Sequence, residues 1–109
     1  MAEKKYKIKD LPLDQRPREK LLKYGAEKLS DTELLAILLR TGIKGKSVLE
    51  IAEEILESVG GSFKGLAGKD IEEIIKTPGI KKDKIATVAA ALEIARRISK
   101  QILKEKGII

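Results

Sequence analysis

The chain has no cysteine, no histidine and no tryptophan, and its only aromatic side chains are Tyr6, Tyr24 and Phe63. Without cysteine there is no disulfide, which fits a reducing compartment. Without cysteine or histidine the usual zinc sites are excluded, as are Cys–His and Ser–His–Asp catalysis. The start, Met1-Ala-Glu-Lys-Lys, is charged, and no apolar run is long enough for a signal peptide or a membrane span. The expected setting is therefore the cytoplasm, with no membrane partner and no cofactor. So few aromatics leave a core of Leu, Ile, Val and Ala, which suits packed helices better than a sandwich.

What the sequence has in abundance is charge. Charged residues make up 37% of 109 residues, and the formal net charge is +6. Residues 1–29 hold nine Lys/Arg against five acids, residues 30–59 three against six, and residues 60–109 eleven against six. A solvated surface explains a lysine excess by itself. A nucleic-acid partner requires the basic groups to sit beside a backbone that can bind phosphate.

The local signals divide the chain into a poorly ordered or extended segment 1–16, a helical domain 17–100 and a helix end or linker 101–109. Pro17 suits a first helical position and Gly25 the residue past a helix end. Ser30-Asp31-Thr32-Glu33 reads as a capping box, in which the hydroxyl and the carboxylate cover the first amides. It opens a helix rich in Leu34, Leu35, Ile37, Leu38 and Leu39, which Thr41-Gly42 should stop. A second box, Ser47-Val48-Leu49-Glu50, opens a helix with Val48, Ile51, Ala52, Ile55 and Val59 on one stripe and Glu50, Glu53, Glu54 and Glu57 on the other. After Gly60-Gly61 and a short turn from Phe63 to Leu66, Asp70 can cap a helix bearing Ile71, Ile74 and Ile75, broken by Pro78-Gly79. The last helix is expected from about Asp83 to Lys104, its stripe Ile85, Val88, Ala89, Leu92 and Ile98. The fold class is all-α, a compact bundle of about five helices.

Sliding the chain by 37 positions places Leu34, Ile37 and Leu38 on Ile71, Ile74 and Ile75, and Gly42-Ile43-Lys44 on Gly79-Ile80-Lys81. Val48, Ile51, Ala52 and Ile55 fall on Ile85, Val88, Ala89 and Leu92. Each copy is helix, Gly-Ile-Lys turn, helix, so the bundle is read as two pseudo-duplicated helix-hairpin-helix-like units. Glycine lets such a turn reverse with φ > 0 or approach a neighbour closely. The isoleucine after it can pin the turn to the core. Amides at the start of the following helix lack intrahelical partners and sit at the positive end of its dipole, where an anion is favoured. The candidate phosphate-binding residues are Gly42, Lys44, Gly45, Lys46 and Ser47 in the first unit. In the second they are Gly79, Ile80, Lys81, Lys82 and Lys84, continued by Arg96 and Arg97. The plain alternative is a helical corner with a glycine cap and solvated lysines.

Two patterns mislead. Gly45-Lys46-Ser47 imitates the end of a nucleotide-binding P-loop, but the leading glycine would have to replace Arg40, and a helix stands where a strand is required. Glu53-Glu54 and Glu72-Glu73 lie on polar helix faces, where charge belongs without catalysis or metal. No catalytic residue and no metal ligand is assigned.

The run Arg16-Pro17-Arg18-Glu19-Lys20-Leu21-Leu22, then Gly25, then Leu29-Ser30-Asp31 with Glu33-Leu34-Leu35-Ala36, Leu38-Leu39-Arg40 and Gly42 closely resembles the opening of the bacterial RadC-like proteins. Pro78-Gly79-Ile80, Ala90-Ala91-Leu92-Glu93 and Arg96-Arg97 extend the resemblance over about residues 8–100. It implies a helix-hairpin-helix region followed, in full-length members, by a metal-dependent domain of the JAB/MPN type with a His-x-His…Asp zinc pattern. That pattern needs histidine, so the chain is expected to be either a fragment or a naturally short relative, and not an enzyme. The family's name ties it to DNA repair. DNA-gripping hairpins usually read Gly-apolar-Gly, whereas Lys44 and Lys81 hold the third position here. The lysine nucleophile of related DNA glycosylases corresponds to Asp83, which removes lyase chemistry. The leading expectation is a non-catalytic, sequence-independent grip on DNA backbone phosphates that targets an attached domain. The alternative is a protein-interaction module with purely structural hairpins.

Overall fold

The computed structural model describes Ile8, residues 11–67, Lys76 and residues 82–109. Five α-helices lie among these residues: α1 (Pro17–Tyr24), α2 (Asp31–Leu39), α3 (Val48–Ser58), α4 (Phe63–Ala67) and α5 (Lys82–Glu105). Among them there is no strand, only an isolated antiparallel bridge between Ile43 and Lys46. The all-α class therefore holds. The pseudo-duplication is not decided, because Ile71, Ile74, Ile75 and the Gly79–Lys81 turn lie outside the described residues.

Local chemistry sets the helix ends. Pro17 opens α1, and Gly25 closes it with φ 91°, a value that glycine adopts without cost. The Ser30 box is complete: the Ser30 hydroxyl accepts from the Glu33 amide at 3.1 Å, and the Ser30 amide donates to the Glu33 carboxylate at 3.0 Å. Only half of the second box forms, the Glu50 amide donating to Ser47 Oγ at 3.1 Å. Ahead of α1, where the sequence suggests an extended or poorly ordered segment, Leu13–Gln15 makes one 3₁₀ turn, and Arg16 Nε donates to the Leu11 carbonyl at 3.2 Å.

The core is the aliphatic cluster the composition requires. Leu35, Ala36 and Leu39 of α2 meet Val48, Ile51, Ala52, Ile55 and Leu56 of α3, Leu66 of α4, and Ile85 and Val88 of α5. Helix α2 is central, touching α1, α3 and α5. A fully buried Pro17 and a Lys20–Glu33 ion pair at 3.2 Å hold α1 on this frame. Burial opposes the charge on Glu33, but the Ser30 amide and the Lys20 ammonium outweigh it and keep its carboxyl below the usual range.

The expected stripe of α5 needs correcting. Ile85 and Val88 are buried, but Ile98 is 52% exposed and Ile94 60%. The reason is length: 24 residues span about 36 Å, and among the described residues the core cluster meets only Ile85, Val88 and Leu92 of it. The radius of gyration is accordingly 15.2 Å, where a compact chain of this size would give about 13 Å. No helix among the described residues is long and apolar enough to cross a membrane.

Candidate nucleic-acid interface

Between α2 and α3 the backbone reverses within eight residues, and each step has a steric cause. Arg40, not Gly42, ends α2. Arg40 has φ 72° and ψ −57°, and the Thr41 amide donates to the Leu39 carbonyl at 2.9 Å, which makes a γ-turn of the strained hand. Its positive φ is the only one outside glycine among the described residues. Gly42 is required for close approach: a Cβ there would sit 2.3 Å from the Lys46 carbonyl oxygen and 2.8 Å from the Val48 nitrogen. Ile43 and Lys46 then exchange two backbone hydrogen bonds of 2.9 and 3.0 Å. The two-residue turn between them needs φ +84° at Gly45. Ser47 follows as the N-cap of α3. The turn is therefore a miniature β-hairpin, and the amides of Ile43 and Lys46 are bonded across it and do not face outward.

The expected cations are not equivalent. Lys44 is exposed at the tip. Lys46 reaches back to the Glu54 carboxylate at 2.9 Å, so the glutamate face of α3 takes up its charge. Lys84 turns inward: its ammonium donates to the Leu39 carbonyl at 2.9 Å, to Thr41 Oγ1 at 3.0 Å and to the Thr41 carbonyl. The Leu39 carbonyl closes α2 without a helical amide to accept from, and the Thr41 carbonyl follows its C-cap, so Lys84 caps α2 from α5. Arg96 and Arg97 are exposed but share one carboxylate, Glu93, at 2.8 Å each. Hydrogen bonds from Arg96 first and then Arg97 hold the Glu93 carboxyl down to about 2, and Glu93 in turn raises the Arg96 guanidinium. Lys82 is exposed at the start of α5. Gly79, Ile80 and Lys81 lie outside the described residues.

Sequence reasoning assigned no role to Arg18 and Arg40. Both are exposed and without a carboxylate partner among the described residues. Both line one cavity of about 440 Å³ beside the hairpin, with Ile8, Ala36, Ile37, Ile43 and Val48 on its apolar side. Glu19 and Lys46 also reach this cavity. Both arginines stand in the run that resembles the RadC-like opening, and a fold was needed to bring them together.

The zinc pattern implied by that resemblance does not fit these residues. The chain has no histidine, and no group of three or more potential ligands gathers among the described residues.

The family model described as UPF0758 N-terminal matches residues 8–86. A UPF0758 protein of Acidovorax ebreus is 46% identical over 114 residues, covering 93% of this chain and 48% of that protein. One from Methylibium petroleiphilum is 52% identical over 90 residues, covering 83% of this chain and 40% of its own length. One from Chloroflexus aggregans is 44% identical over 100 residues, covering 92% and 43%. The chain thus spans a little under half the length of these relatives. No solved structure matches.

Proposed function

Because the chain belongs to the UPF0758 family, which is the RadC-like family, we propose that it is a non-catalytic module that grips nucleic-acid backbone without reading sequence. In the longer relatives the module would deliver the rest of the protein to DNA. One observation carries the reading. A turn that tolerates no Cβ at Gly42 stands at the start of α3, and the exposed cations Arg18, Arg40 and Lys44 surround it with no carboxylate partner among the described residues. A helix N-terminus set by a tight turn, with cations unpaired among the described residues around it, suits phosphate, and such contacts position a protein without selecting bases. The side chain at Lys44, where DNA-gripping hairpins usually have glycine, then contributes charge at the rim.

A second reading has its own support. Ile94, Ile98 and Ile102 recur every fourth residue on α5, and all three are exposed. Such a stripe fits a protein contact better than a phosphate.

Fluorescence anisotropy with a labelled duplex at two salt concentrations separates the two readings. Phosphate contacts predict a dissociation constant on the order of 10⁻⁴–10⁻⁶ M at physiological salt, with a steep loss as salt rises. Arg40→Gly and Arg18→Gln should each weaken binding and flatten the salt dependence by about one unit. Lys46→Gln, whose charge Glu54 already takes up, should do little. Arg40→Gly should also stabilise the fold by roughly 1 kcal/mol, since glycine relieves the positive φ. A parent chain that binds no DNA even at low salt leaves the protein-contact reading standing.

A further inference from the structure

We propose that the cavity beside the hairpin receives one unpaired nucleobase, so that the module prefers DNA with a single-stranded end to intact duplex. The proposal rests on the reading of the hairpin as a phosphate grip and adds the kind of DNA it selects.

The cavity, about 440 Å³, is continuous with the hairpin, since Gly42, Ile43, Lys46 and Ser47 belong to its lining. Its lining combines two chemistries. Ile37, the 38%-exposed Ile43, Ala36 and Val48 give it apolar lining, while the exposed Arg18 and Arg40 add two cationic residues to the same lining. Glu19 is the opposing charge among the described lining residues, and Lys46 is held by Glu54, so the described lining keeps a positive balance of two arginines against one carboxylate. Arg18 reaches the cavity only because α1 is fixed on α2 by the buried Pro17 and by the Lys20–Glu33 pair.

A nucleotide matches that combination. Its base offers a flat, weakly hydrated face to aliphatic lining or a guanidinium plane, and its phosphate offers charge to the arginines. A bare phosphate would satisfy the arginines and leave the isoleucines in water. A base inside a duplex could reach the cavity only after leaving its stack, which costs energy that an unpaired base does not spend. The same cavity therefore binds an overhanging or bulged nucleotide at a lower cost than a paired one.

The test uses the full chain and four labelled DNAs compared by anisotropy at low salt: a blunt duplex, the same duplex with a short overhang, that overhang carrying an abasic unit, and a single strand. The overhang should bind roughly tenfold more tightly than the blunt duplex, as loss or gain of one stacked base implies. The abasic overhang, which keeps the phosphate and lacks the base, should fall back to the blunt value. Ile37→Ala, on α2 outside the hairpin, should erase the preference for the overhang and leave blunt-duplex affinity unchanged. Equal binding of intact and abasic overhangs, with duplex binding retained, overturns the base pocket and spares the phosphate grip. Binding to none of the four DNAs overturns both.

Discussion

Helices α3 and α5 carry the same apolar spacing, 37 positions apart, yet they live in different surroundings. In α3 the residues Val48, Ile51, Ala52 and Ile55 are all buried, with Ile51 at 0% exposure. Their counterparts in α5 start alike, with Ile85 and Val88 buried, but Ala89 and Leu92 are only partly covered, and Ile98 beyond them lies open. Helix α3 has 11 residues held between α2 and α4, whereas α5 has 24 and meets α2 near its beginning. Periodicity states which face of a helix is apolar. Whether a neighbour covers that face depends on how long the neighbour is.

The difference can be broken at several points, the largest first. Ile51→Ala should cost roughly 3–4 kcal/mol in urea unfolding, because it empties a fully enclosed site. Ile98→Ala should stay within about 0.5 kcal/mol. A comparable loss at Ile98 would mean that the far half of α5 is covered in solution. The lysines at the start of α5 offer a sharper contrast. Lys84→Met removes a charged donor from the end of α2 and should cost about 1–2 kcal/mol, while Lys82→Met, at the exposed neighbour, should leave the midpoint where it is.

The smallest effect is a titration at the α1–α2 seam. The Glu33 carboxyl lies below its ordinary value in the folded chain. The charged form is therefore favoured by folding, and its stabilisation is present above the ordinary carboxylate range. It fades as pH falls through the lower folded value. Glu33→Gln should flatten that part of the stability curve, with its small loss of stability present at neutral pH and vanishing at low pH. An unchanged acid limb in the variant would show that the Lys20 pair contributes nothing there.

Features written in neighbouring residues were legible in the sequence. The Ser30 box, the Pro17 start, the Gly25 stop and the Leu/Ile core of α2 and α3 all follow from contacts a few positions apart. Gly42 was legible as a position needing glycine, although its reason is the Lys46 carbonyl and not a positive φ. The charges were harder to read, because a lysine's role depends on what faces it. Lys84 reads as a rim cation and turns out to meet carbonyls 45 and 43 residues away. Arg96 and Arg97 read as a basic patch, yet Glu93 engages both one helical turn earlier. The i,i+3 and i,i+4 spacing of that trio was visible all along. Arg18 and Arg40 carried no local mark, since only the packing of α1 on α2 makes them neighbours of one cavity.

The long reach of α5 also has a mechanical meaning. From Glu93 to Glu105 the helix continues for about 20 Å, its residues exposed from Ile94 onward. It is in effect a lever whose fulcrum is the seam where Ile85, Val88 and the Lys84 ammonium meet α2. A rotation of about 10° at that seam would carry the far end through roughly 5 Å, given a rise of about 1.5 Å per residue. A modest adjustment at the α2 terminus, next to the hairpin, would thus emerge at the other end of the molecule as a displacement large enough to make or break a contact.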